Sequence, residues 1–294
     1  MVLGVMGATG YIQILVNGIC TGGMYGLIAS GFTFQVGALR MSNFSYGHWI
    51  MLSMYITYFA LEKWRLGIAF AMLVIVPLFS FFGFITRRIF LTRVQGNSQI
   101  LITMGIGLIL INGTEFIIGG YPRSLPIVDT NITIAGIPIV GQYRLMMAIL
   151  ASIILLSFHL FLTKTWMGTA IRAVVQGKEV ASLMGIPSDK MINVAFGLSY
   201  ILVGVSGSML LTQHAAYLDA GGYYQLMGFL ICVIAGLGNL KMAYVAGLLI
   251  GVVSSFIMTF ISTSFHDPII FLLFIMVLLF KPNGLFNKDT ARLV

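Results

Sequence analysis

This sequence has little charge. Of its 294 residues only 16 are Lys or Arg and 8 are Asp or Glu, 8% in all. Soluble domains carry about 25% charged residues, so the shortage excludes an ordinary water-facing surface over most of the chain. Cysteine is almost missing too. Cys20 and Cys232 are the two, and both fall inside apolar blocks, which excludes a disulfide framework and a cysteine-based metal centre. His48, His159, His214 and His266 stand singly, without the spacing of metal ligands. The chain contains no zinc-protease helix motif and no Ser/Lys or paired-Asp arrangement suited to intramembrane proteolysis. It also lacks a Walker A loop: Gly177-Lys178 has neither the upstream glycine nor the following Ser or Thr, so any ATP and Mg must be bound by another subunit. A secretory leader is not evident, because the first residues have no basic segment and apolar spans continue throughout.

What is abundant is apolar residues. They make up 59% of the chain, and the mean hydropathy is +1.01. Apolar blocks run over Ile12–Val36, Phe44–Leu61, Leu66–Ile85, Ile100–Ile118 and Leu145–Leu162, then Ile192–Leu211, Tyr224–Leu237, Tyr244–Ile261 and Ile269–Phe280. Most reach the roughly 17–25 residues that a helical span needs. The expected fold is an all-α polytopic membrane protein with about nine transmembrane segments in one domain, residues 1–294. The seventh and ninth blocks are short, which leaves them tilted, partly re-entrant or wrongly bounded.

The net charge of +8 does not indicate nucleic acid, since the basic residues sit at the ends of hydrophobic blocks and form no aromatic-interleaved patch. It reports orientation. Arg40, Arg87, Arg88, Arg93, Lys164, Arg172, Lys178, Lys190, Lys241, Lys281, Lys288 and Arg292 fall on one side; Lys63, Arg65, Arg123 and Arg144 fall on the other. The positive-inside rule makes the larger set cytoplasmic, with the amino terminus outside and the carboxyl terminus inside. Trp64 and Trp166 then sit at opposite interfaces.

Small residues recur at intervals of four. Gly18, Gly22, Gly26 and Ser30 lie on one face of the first block, and Ala243, Gly247, Gly251 and Ser255 repeat the pattern in the eighth. Gly204 and Ser208 do so in the sixth. Lipid gives helices no hydrophobic drive to associate, so such rows serve as close-contact faces, within one subunit or at a seam between two. Outside the membrane, Gly119–Arg144 is the one long loop. Its Ile132–Ile139 alternates around Ala135-Gly136 and reads as a hairpin, with Pro138 confined to an edge. It either meets an external partner or covers the helix ends. Glu115 is the one acid within a block; it lies close to the outer end, which favours a polar interfacial role over proton coupling.

Two polar segments interrupt the apolar pattern. Arg40-Met41-Ser42-Asn43-Phe44-Ser45-Tyr46-Gly47-His48 gathers hydrogen-bonding groups where the chain turns back into the membrane. Capping by Ser42 or Asn43 accounts for part of it, and Asn43, Ser45, Tyr46 and His48 are candidates to line the inner end of a translocation path. The second segment, Gly168–Gly185, carries Arg172, Gln176, Lys178 and Glu179 yet keeps an apolar stripe through Ala170, Ile171, Val174, Val175, Ala181 and Leu183. A short amphipathic surface helix followed by a turn at Gly185-Ile186-Pro187 satisfies both features.

Glu179, Ala181 and Gly185 form an E-x-A-x3-G pattern within a string that also holds Thr165, Gly168, Arg172-Ala173 and Met184-Gly185-Ile186. This string resembles the ATPase-docking segment in permeases of branched-chain amino acid ABC importers. Asn43–His48 resembles that family's Asn-Phe-Ala-His-Gly-Glu stretch, with Tyr46 in place of the His and His48 in place of the acid. Ala235-Gly236-Leu237-Gly238-Asn239 and Lys281-Pro282-Asn283-Gly284-Leu285-Phe286 continue the likeness, which covers roughly residues 18 to 286. The resemblance implies a fold similar to the vitamin B12 importer class. It also implies a second, related permease, either a paralogue or an identical copy, two ABC ATPase subunits that bind ATP and Mg, a periplasmic solute-binding protein, and a place in the bacterial inner membrane. Its cargo class is branched-chain amino acids or related small polar solutes. Arg172, Gln176, Glu179, Ala181 and Gly185 become the expected ATPase contacts. The alternative is a carrier driven by an ion gradient, which would want buried ionisable groups or broken helices at the midplane.

Overall fold

The computed structural model describes residues 8–39, 43–63, 67–92, 94, 96–125, 130–134, 137–281 and 284–285. Arg40, Met41, Ser42, Trp64, Arg65, Arg93, Ala135-Gly136, Pro282-Asn283, Phe286, Lys288 and Arg292 lie outside the described residues.

The elements follow the apolar blocks. In order they are α1 (Ala8–Thr33), α2 (Tyr46–Glu62), α3 (Ile68–Ile85), α4 (Asn97–Ile118), β1 (Asn131–Ile134) and β2 (Ile137–Gly141), then α5 (Gln142–Lys164), α6 (Trp166–Gln176), α7 (Lys178–Leu183), α8 (Ser188–Leu210), α9 (Ala220–Ala235), α10 (Leu240–Phe260) and α11 (His266–Phe280). Wider π turns extend α1 over Phe34–Ala38 and α3 over Thr86–Leu91. Helix dominates because in lipid each backbone N–H and C=O must be satisfied within its own segment.

Seven of these helical stretches are long and apolar enough to cross a membrane: Gly10–Gly37, Ile68–Leu91, Ser98–Ile118, Gln142–Lys164, Ser188–Leu210, Leu240–Phe260 and Thr263–Phe280. The ninth block was bounded too tightly, because a 3-10 turn at Thr263–Phe265 and the first turn of α11 lengthen it. The second and seventh blocks form the shorter helices α2, of 17 residues, and α9, of 16. Both begin inside the bundle. Asn43, just ahead of α2, donates from Nδ2 to the hydroxyl of Tyr200 (3.1 Å), the thirteenth residue of α8. At about 1.5 Å per residue that point lies about 18 Å along α8. Tyr223, near the start of α9, meets Tyr25 of α1 through their hydroxyls (3.4 Å), while Gly238 beyond its end touches Gly37 at the end of α1. Twelve residues of helix, again about 18 Å, separate those two levels.

The glycine rows account for the most extensive close packing between two helices. A Cβ placed on Gly22 would lie 2.7 Å from the Leu248 Cα, and one on Gly251 would lie 2.2 Å from the Gly22 Cα. One on Gly247 would meet the Gly26 backbone at 2.4 Å, and one on Gly18 the Val252 Cα at 2.7 Å. The rows of α1 and α10 therefore face each other inside the subunit, backbone against backbone. Ser30, the last member of the α1 row, is buried and its hydroxyl has no protein partner. In α8, Gly204 seats Phe79 and Ile75 of α3, and Ser208 accepts from Thr57 of α2 at 3.0 Å.

The loop before α5 forms the expected hairpin. Its register pairs Asn131 with Gly141, Ile132 with Val140, Thr133 with Pro138 and Ile134 with Ile137, with an irregularity between Ile132 and Thr133. Val140 packs on Cys20 of α1 and Ala148 of α5, and Arg144 donates to the Asn17 side chain at 3.0 Å, so the hairpin is fastened to the helix ends. Farther along, Arg123 exchanges two backbone hydrogen bonds with Ala216, at 2.8 and 2.7 Å. Glu115 is exposed in the last turn of α4.

Candidate functional site

The Gly168–Gly185 segment folds as an elbow of two helices where one was expected. α6 opens at Thr165, whose hydroxyl accepts from the Gly168 N–H at 3.1 Å, the capping role that Thr fills well. A side chain at Gly168 would strike the Phe161 carbonyl at 2.3 Å, so glycine permits the sharp fold of α6 back on α5. Gly177, with its backbone extended, separates α6 from α7, and Gly185 follows at φ +82°, a conformation that favours glycine. Ala170, Ile171, Val174 and Ala181 turn inward and are buried. Beyond the break the apolar stripe reverses: Val180, Leu183 and Met184 are exposed, Leu183 by 87%. Gln176, Glu179 and Gly185 are exposed beside them, while Arg172 is half-buried. The turn is stiffened from behind by Ser188, whose hydroxyl meets Ser182 at 2.7 Å and the Lys178 carbonyl at 3.1 Å.

The second polar segment sits where α2 and α9 start. Asn43 Oδ1 accepts from the Ser45 N–H (3.0 Å) and hydroxyl (2.6 Å), and Phe44 N–H donates to Thr103 of α4 at 3.0 Å. The Gly47 N–H, an orphan donor of the first helical turn, reaches Gln225 Oε1 of α9 at 2.7 Å. Gln225 Nε2 returns to the Asn43 carbonyl at 3.4 Å. The two helix starts are thus tied to each other. Backbone approach is close enough that a Cβ on Gly47 would lie 2.0 Å from the Gly221 carbonyl. Asn43, Ser45 and Tyr46 are all buried, and Tyr46 donates to the Ile28 carbonyl at 3.1 Å. His48 is half-buried between Gly107 of α4 and Gly221 of α9. Asn43 does not cap α2: Ser45 holds that position without a side-chain cap bond, and Asn43 Oδ1 instead closes a turn around Ser45, ahead of the first helical residue, Tyr46.

The remaining motifs are also structural joints. Gly236 and Gly238 adopt φ +87° and +95°, Asn239 caps α10 by accepting from the Met242 N–H at 3.2 Å, and Leu285 N–H donates to the Ile234 carbonyl at 2.8 Å. No cluster of three or more metal-ligating side chains occurs among the described residues.

Residues 14–278 match the family model for the branched-chain amino acid transport system permease component. The chain belongs to that permease family. It is 26% identical to the high-affinity branched-chain amino acid transport system permease protein BraD of Pseudomonas aeruginosa, covering 97% of this chain and 98% of the relative. LivH of Salmonella typhimurium, a permease protein of the same kind of system, is 25% identical over the same shares. A probable branched-chain amino acid transport permease protein LivH of Methanocaldococcus jannaschii is 23% identical, over 96% and 94%. No solved structure matches the chain.

The permease contains functional candidates that its sequence did not single out. Gln225 and Tyr200 are buried polar groups inside apolar blocks, and Gln35 donates to the Ser199 hydroxyl at 2.7 Å. Arg87 is almost fully buried and donates to Asn193 Oδ1 at 2.7 Å. For Gln35 and Gln225 an amide within a hydrophobic run was the available signal, since such groups need partners in protein; Arg87, just past the end of its block, gave none.

Proposed function

We propose that this permease is the membrane-crossing subunit of an ATP-driven importer for branched-chain amino acids or related small polar solutes, among them other amino acids, amides and urea. The observation that carries this reading is the elbow: an amphipathic helix seated on the bundle, ending in an exposed apolar tip at Val180, Leu183 and Met184. Apolar side chains rimmed by Gln176 and Glu179 mark a protein contact on a surface that faces water. The occupant is one of two ATPase subunits, which bind ATP and Mg in place of this chain. Gln176, Glu179, Gly185 and Arg172 surround the contact, and Ala181 anchors α7 from beneath.

The other partners follow from the same reading: a second, paralogous permease beside this one and a solute-binding protein on the outer face. The distribution of basic residues supports a cytoplasmic elbow, with the amino terminus outside and the carboxyl terminus inside, and the family likeness supports a bacterial inner membrane. Each polar re-entry plus its shorter helix completes one crossing, so that α2 and α9 bring the total to nine. Movement of the elbow rocks the bundle and opens a path alternately outward and inward. Asn43, Ser45, Tyr46 and His48, linked to Gln225, form a gate at mid-depth, farther in than the inner end of the path, in its closed arrangement.

Helices that begin at mid-depth also suit an ion-coupled carrier. Every Asp and Glu among the described residues is exposed, however, so that reading lacks a buried carboxylate to hold the ion. Uptake by the permease reconstituted with its ATPases and binding protein separates the two: ATP hydrolysis must drive it, and an ionophore must leave it unchanged.

A further inference from the structure

Arg87 is the most buried Arg or Lys among the described residues, with 4% of its surface exposed, and its hydrogen bonding is incomplete. Nη1 donates to Asn193 and lies 3.5 Å from the Thr92 hydroxyl; Nη2 stands 3.8 Å from Asp189, whose carboxylate is largely exposed; Nε has no partner. A guanidinium carries five N–H donors, and leaving buried ones unmet is costly. The side chain borders a cavity of about 450 Å³ between the end of α3, the start of α4 and the elbow. Lys178 is in its wall, beside Gln99, Thr92, Gln176 and Gly96. Gly96 precedes α4 and provides no side-chain cap, and the Gln99 N–H is met by the Gly96 carbonyl at 3.1 Å, so the helix start offers this space the positive end of its dipole. Asp189 is the one acid facing these groups, 3.0 Å from Lys178 Nζ.

The geometry points to an oxyanion-binding site here, of the phosphate type. It rests on the transport reading only for its side of the membrane. Arg supplies a fork of donors, Lys a mobile charge, and a helix amino terminus favours negative charge; together these groups recognise phosphate oxygens. The occupant is either free phosphate or the phosphate of a lipid headgroup. Because the wall includes Val174–Lys178 on the elbow and Arg87–Thr92 on the bundle, a bound anion bridges the hinge at Gly177 to the membrane helices. It competes with Asp189 for Lys178.

The test uses the full-length purified permease in nanodiscs of phosphatidylcholine, with equilibrium dialysis of radiolabelled orthophosphate against a chloride background. A second arm compares phosphatidylglycerol retained per protein by native mass spectrometry. Lys178→Gln leaves the buried Arg87 in place, and removing one charge-assisted contact should weaken binding about tenfold. Arg87→Gln should abolish it. Saturable orthophosphate binding that Lys178→Gln weakens supports a free-anion site; selective phosphatidylglycerol retention with the same dependence supports a headgroup site. Failure of both anions to bind, or binding unaffected by Lys178→Gln, overturns the proposal. Neither arm measures uptake, so failure here and failure of the transport reading are separate results.

Discussion

The Gln225 side chain of α9 accepts the Gly47 N–H of α2 at 2.7 Å, joining two helix starts deep in the bundle. A single amide offers both a donor and an acceptor, and Gln225 uses both, the second toward the Asn43 carbonyl. Gln225→Leu should therefore orphan one buried donor and weaken one buried acceptor. The expected loss is about 1–3 kcal/mol of stability, seen as a lower unfolding midpoint in detergent. An unchanged midpoint would mean that water already serves these groups.

The facing rows of α1 and α10 predict an unusual sensitivity to one methyl group. At Gly22 the new Cβ meets backbone at 2.7 Å, where no side chain can move aside, so Gly22→Ala should destabilise by about 1–3 kcal/mol, as overpacking does. Gly113 of α4 has nothing within 4 Å, and Gly113→Ala should be neutral or slightly stabilising. Equal midpoints for the two variants would remove the contact's special status.

The closed gate predicts an order of cysteine reactivity. In a background without Cys20 and Cys232, Tyr46→Cys should resist a water-soluble thiol reagent in the resting state and gain reactivity when the ATPases are trapped with nucleotide. His48→Cys, at a half-buried position, should react in at least one state. Protection of both in every state would return them to the static core.

The fold of the elbow depends on its entrance. Gly168→Ala would force a Cβ to within 2.3 Å of the Phe161 carbonyl and swing α6 away from α5. Thr165→Ala should cost about 1 kcal/mol through the lost cap. Limited proteolysis near Gly177 checks both: cleavage should accelerate more in Gly168→Ala than in Thr165→Ala.

Much of this was legible from residue order. The long apolar blocks became helices, Ile132–Ile139 became part of a hairpin, and the i, i+4 glycines lay on single helix faces. What periodicity could not provide was pairing. Nothing in Gly18–Ser30 names Ala243–Ser255 as its partner, because close approach is a property of two backbones. The depth at which α2 starts was hidden for a similar reason. A hydropathy block from Phe44 counts residues, but Asn43 finds its level through Tyr200 and Gln225, 157 and 182 positions away. The break at Gly177 was visible as a glycine, yet a single amphipathic period ran through it. Arg87 looked like one more basic residue at a helix end until its burial set it apart.

If the exposed tip of the elbow transmits ATP hydrolysis to the bundle, Leu183→Asp breaks that link. Leu183 is 87% exposed and is not part of the buried core, so the substitution should leave insertion and the unfolding midpoint unchanged. In proteoliposomes containing the partner ATPases and binding protein, ATP-dependent uptake of leucine should fall by at least about tenfold, the loss that follows from removing about 1.4 kcal/mol from the contact. Wild-type uptake by a correctly inserted Leu183→Asp permease would show that the tip carries no coupling.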